Sequence, residues 1–181
     1  MDTAKKRDIL ERMESLRREI ETEEGIQFSI REKAKELIGA GNATFSIANP
    51  QHEHFTFRIN CVQATDRDSR QPQVDANGDP VYVWFAGVLT GPDNATDYNY
   101  LAVFEPTTWK LRWTSGSKIK EDAPSSRVLK YFLNLIFDEN PLPEGYDIWH
   151  AGRCCRCGRK LTVPASIAAG IGPVCATSMG W

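Results

Sequence analysis

Cys154, Cys155, Cys157 and Cys175, four of the five cysteines, fall with His150 in the single run HAGRCCRCGRKLTVPASIAAGIGPVC. Thiolates two residues apart can grip one ion, so Cys154-x-x-Cys157 has the shape of a zinc knuckle. Gly158 after it lets the backbone turn its amide hydrogens toward the sulfurs. Cys175 follows at a distance seen in short zinc modules. Pro173 just before it can open a helix whose positive end favours a thiolate. The fourth ligand is open between two candidates, His150, four positions before Cys154, and Cys155. Neighbouring cysteines seldom both reach one ion, so the expected set is His150, Cys154, Cys157 and Cys175, with Cys155 packed or free.

A catalytic zinc keeps an open position for water and an acid or base nearby. Residues 151–181 contain no Asp or Glu, so a closed, structural Zn2+ is the expectation. A redox role for the CxxC pair is the rival. In thioredoxin-like proteins, however, that motif comes early, after a strand and before a long helix. Between the ligands, LTVPASIAAGIGP reads as a small helix with Thr162 as cap, Pro164 in the first turn and Gly170 at its end. Ile167, Ile171 and Val174 are expected to form a small core around the metal, too small to stand without it.

The same segment carries Arg153, Arg156, Arg159 and Lys160 with no acid to cancel them. Clustered cations can neutralise phosphates and release counterions. WKLRW adds Lys110 and Arg112 between Trp109, Leu111 and Trp113, where rings can stack on unpaired bases or, by the period-two rule, face a core. His52-Glu53-His54 has no accompanying carboxylate set that would make it an active site. The calcium-like run Asp75, Asn77, Asp79 has Pro80 where a glycine is needed.

The elements that must position these residues follow from periodicity. Ile9, Met13, Leu16 and Ile20 line one stripe of a helix over residues 3–24, able to pack on the body or support self-association. FSIREKAKELIGAGN reads as a second helix stopping at Gly39–Gly41. From Ala43 the period becomes two. ATFSIAN, HFTFRINCVQA, VYVWFAGVL, YNYLAVFE and WKLRWTS predict five strands of a mostly antiparallel sheet, with Cys61 on the second and Asn77-Gly78 as a turn in the longest loop. DAPSSRVLKYFLNLIF predicts an apolar helix covering one sheet face. The fold class is therefore α+β: an N-terminal helical segment (1–40), an α+β body (41–140) and a zinc-binding module (141–181). With 181 residues, 41% hydrophobic, 25% charged and a net charge of −2, the chain reads as globular. It has no apolar run of membrane length and no signal-like start, so a cytoplasmic protein with no membrane partner is expected.

The run GRCCRCGRKLTVPASIAAGIGPVC resembles a phage and bacterial domain-of-unknown-function family with a zinc-ribbon-like motif, GRCxxCGRxLTxPxSIxxGIGPxC. The resemblance implies zinc and a phage or mobile-element origin, hence a host cytoplasm, but no activity. Two functions then stand open: binding of nucleic acid through the basic module and sheet, or docking on a host or defence protein complex with zinc as a staple. Enzymatic activity is the less favoured third.

Overall fold

The computed structural model describes residues 26–27, 31–51 and 53–180. Seven strands form one antiparallel sheet: β1 (Ile26–Gln27), β2 (Asn42–Ala48), β3 (His54–Gln63), β4 (Tyr82–Leu89), β5 (Tyr98–Glu105), β6 (Lys110–Arg112) and β7 (Asp147–His150). Their spatial order is β1-β7-β2-β3-β4-β5-β6. The five expected strands are β2 to β6, and the count rises to seven. The short β7, last in sequence, inserts between β1 and β2 and pairs with both. The helix expected over residues 3–24 lies outside the described residues. The second expected helix is α1 (Arg31–Gly39).

Alternation along the strands divides the sheet into two unlike faces. Phe45 and Ile47 on β2 stand opposite Phe57 and Phe55 on β3, Ile59 stands opposite Ala86 on β4, and Ala43, Phe45, Phe57 and Ile59 are all buried. On this face lie α1, through Leu37 and Ile38, and α2 (Pro124–Phe137), through Leu129, Phe132, Leu133 and Ile136. These four fall at i, i+3, i+4 and i+7 and make one continuous apolar stripe, and Pro124 begins the helix where a missing N–H does no harm. Trp109 belongs to this core too, with its ring edge-on to Phe104 at 5.6 Å. Trp113 is partly buried and donates Nε1–H to the Ile119 carbonyl at 3.2 Å.

The other face carries Thr44, Ser46, Thr56, Arg58, Asn60 and Trp149, and among the described residues no helix of the main core packs on it. The long β3–β4 loop is a hairpin extension. The Asp75 carboxylate accepts the N–H groups of Asn77 and Asp79 at 2.8 and 3.0 Å, and Gly78 turns with φ +88°. Asp75 is a turn former there. Beyond β7 come two short helices, α3 (Pro164–Ala169) and α4 (Pro173–Met179).

Candidate metal centre

Cys154, Cys157 and Cys175 bring their sulfurs within 4.8 Å of one another. Three thiolates around one tetrahedral zinc stand about 3.8 Å apart for bonds of about 2.3 Å, so the cluster has the dimensions of a metal site. Cys154 is buried, Cys175 half-exposed and Cys157 exposed.

Local structure builds this cluster in two halves. The first is a tight turn in which Gly158 N–H donates to the Cys154 carbonyl at 2.8 Å and Cys154 N–H to the Arg159 carbonyl at 2.8 Å. Gly158 occupies the left-handed region at φ +73°. That conformation favours glycine, and a Cβ there would sit 2.9 Å from Asn42 Nδ2 and push that amide aside. The second half is α4, begun by Pro173, which carries Cys175 in its first turn. Between them Leu161 and Ile171 bury themselves with Cys154, with Ile167, Ala169 and Met179 partly buried around them. This is the expected small core with two changes: Leu161 joins it, and Val174 is 82% exposed. The cap of α3 is Val163, with no side-chain cap bond, in place of Thr162. Gly170 ends α3 in the left-handed conformation as expected.

Burial would raise the Cys154 thiol, yet it is held down to about 7. The N–H groups of Gly172, Cys157 and Arg156 and the Cys157 thiol all donate to its sulfur. Amides aimed at a sulfur favour the thiolate a metal requires. Without a metal, burial comes first in pushing Cys175 up to about 11, followed by hydrogen bonds and charge from Cys157 and Cys154. The donor set fits a thiophilic dication, which would draw the remaining protons off the thiols.

His150 does not join the three sulfurs, and here the structure departs from the expected ligand set. Its Nε2 donates to the Ile167 carbonyl at 2.7 Å and its Nδ1 accepts the Gly152 N–H at 3.0 Å. Both ring nitrogens are thus engaged with backbone. Phe45, a residue of the core face, is its partner across the β2–β7 ladder. Burial and then the nearby Lys33 charge hold the imidazole below its ordinary range, against the Ile167 carbonyl, which pulls the other way. Cys155 is no substitute ligand. It is 1% exposed in the main core, and burial, then the Cys154 charge, pushes its thiol up to about 12. The adjacent cysteines therefore serve different cores.

The basic residues fare unequally. Arg156 Nη1 donates to the Ala40 carbonyl at 3.2 Å, tying the knuckle to the end of α1. Arg153 Nη1 caps the Gly158 carbonyl at 3.2 Å, while Arg159 and Lys160 are exposed. Lys110 and Arg112 lie on β6, at the opposite edge of the sheet from β7, and Arg112 Nε stands 3.5 Å from Glu105 Oε1. The structure does not bring these two to the knuckle.

What the sequence reading missed is the face beside the knuckle. Arg153 and Lys160 line a hollow of about 690 Å³ with Thr44, Thr56, Tyr98 and Trp149. Two further hollows of about 360 and 420 Å³ share Arg58 and Asn60. Alternation of polar residues on β2 and β3 is a usable signal, but only the insertion of β7 beside β2 sets the knuckle against them.

Residues 150–180 match a family of unknown function (DUF6011). No curated protein and no solved structure matches the chain. No helix among the described residues is long and apolar enough to cross a membrane.

Proposed function

We propose that the chain is a non-enzymatic zinc protein of phage or mobile-element type that binds nucleic acid. Zinc in the site of Cys154, Cys157 and Cys175 is structural: it fixes the turn at 154–159 to α4 and so sets the positions of the basic side chains. The observation that carries this reading is the placement of Arg153 and Lys160, from a segment without acids, on the rim of the polar sheet face. Phosphates held there would release counterions, giving a salt-dependent affinity. Arg159, exposed in the same segment, adds to its positive charge. Its setting would be the cytoplasm of a host.

Metal analysis of protein purified without chelator, followed by anisotropy titration with labelled DNA and RNA at several salt concentrations, tests both halves. About one zinc per chain and an affinity falling steeply with salt are expected. Less than half an equivalent of zinc removes the metal reading, and no response at low salt removes the nucleic-acid reading. Docking on a host or defence protein complex, with zinc only as a staple, is the second reading. It is favoured by Tyr131 and Phe137, which leave α2 51% and 39% exposed.

A further inference from the structure

The polar sheet face has a built character that ordinary solvated strands lack. Arg58 Nη1 donates to the Ala95 carbonyl at 3.1 Å, and its guanidinium lies over the Tyr98 ring at 3.8 Å. The loop at residues 93–97 is thereby held against the sheet, and the three hollows described above adjoin around Arg58, Ala95 and Arg153. Aromatic side chains line them: Phe85 and Tyr100, edge-on at 5.7 Å, with Tyr98 and Trp149 toward the knuckle. Tyr98 Oη is buried. The cations along the trough are Arg58, Arg153 and Lys160. The acid in its lining, Asp93, turns its carboxylate back onto Ala95 N–H and the Thr96 hydroxyl.

We infer that this trough is the seat of an unpaired nucleic-acid strand, whose phosphates lie along Arg58, Arg153 and Lys160 and whose bases stack on Trp149 and Tyr100. The inference rests on the nucleic-acid reading above and narrows it. Charge complementarity selects a polyanion. Aromatic faces on a sheet select one with exposed base faces, because a duplex keeps its bases stacked on each other. Phosphate contacts and stacking on aromatic rings carry little base information, so the strand is taken with little sequence preference.

The test uses zinc-loaded full-length chain and a labelled oligo-dT of about twelve nucleotides, within the usual range of single-strand sites. A duplex of the same length is the comparison. The single strand should bind at least about tenfold tighter. Trp149→Leu and Arg58→Gln should each weaken it about tenfold with zinc content and circular dichroism unchanged, while Arg112→Gln on the far edge leaves it intact. A 4-thiothymidine strand crosslinked to the unaltered protein gives an independent readout should either variant fold poorly. Crosslinks on the peptides carrying Tyr98 or Trp149 support the trough, and crosslinks confined to β6 or α2 overturn it. Duplex bound as tightly as single strand, or Trp149→Leu binding as before, also overturns the trough while leaving a basic knuckle that binds nucleic acid. No binding of either strand form defeats both readings.

Discussion

The ring of His150 holds the carbonyl of Ile167 at 2.7 Å, and by that bond the last strand of the sheet grips the small helix that lies between the metal ligands. A residue placed by sequence for coordination is a clamp between two layers. His150→Gln should therefore leave zinc stoichiometry unchanged and preserve the thiolate charge-transfer bands of the cobalt-substituted protein. It should lower unfolding stability by about 1–3 kcal/mol, the usual consequence of leaving a buried partner unsatisfied. Loss of the metal or a changed cobalt spectrum would return His150 to the ligand set.

The same ring sets a pH response. Its pKa is lowered in the folded state by burial, so the unfolded chain takes up the proton first. Stability from this group is complete above the unfolded value of about 6.5 and declines as pH falls below it toward the lower folded value. Thiol protonation also destabilises the metal site in acid. The histidine contribution is thus the difference between wild type and His150→Gln, measured by denaturant melts from pH 7.5 to 5. That difference should shrink toward the acid end.

Cys157 and Cys155 should separate cleanly. Cys157→Ala is expected to abolish tight zinc binding and, with it, the folding of residues 151–180, seen as loss of amide protection there. Cys155→Ala should keep one zinc per chain and lose about 1–2 kcal/mol of core packing. In alkylation experiments on zinc-loaded protein, Cys155 should be the slowest thiol to react, given its burial and a thiol pushed up to about 12.

Arg156→Ala should reduce stability by about 1 kcal/mol, because the guanidinium satisfies a carbonyl at the end of α1. Its effect on nucleic-acid affinity should be smaller than that of Lys160→Ala. An equal or larger loss of affinity would show that Arg156 leaves Ala40 to meet phosphate.

Gly170→Ala combines two penalties. The residue has φ +70°, and a Cβ would come within 3.0 Å of the Leu37 side chain on α1. About 1–2 kcal/mol from the backbone alone is expected, with the crowding of Leu37 added to it. A thermal melt of the zinc-loaded variant measures this directly.

The three cysteines, strands β2 to β6 and α2 were legible because each rests on a local pattern: thiol spacing, a period of two, or an apolar stripe at helical spacing. β1 and β7 were not: Ile26–Gln27 is too short for alternation to register, Asp147–His150 falls inside the segment read as the zinc module, and what reveals both is their pairing with each other and of β7 with β2. His150 misled because four residues from a cysteine suits a ligand as well as a strand end. What removed it was the Ile167 carbonyl, distant in sequence and invisible to spacing. Lys110 and Arg112 looked like part of a basic surface until sheet order put β6 on the far edge. The trough was the least legible feature, since Arg58, Tyr98 and Trp149 come from three separated strands, each resembling an ordinary half-exposed position.

The insertion of β7 between β1 and β2 also governs the order of events during synthesis. β2 through β6 can pair in sequence as the ribosome extends the chain, but among the described residues β1 pairs with β7, which is made long after it. Until then one edge of β2 stays bare, ready to pair with a neighbouring chain. The cysteine run emerges directly behind β7, so capture of the metal and closure of that edge fall in the same late interval. Cells starved of zinc should thus accumulate this protein as aggregate even though most of its sheet can form without the ion.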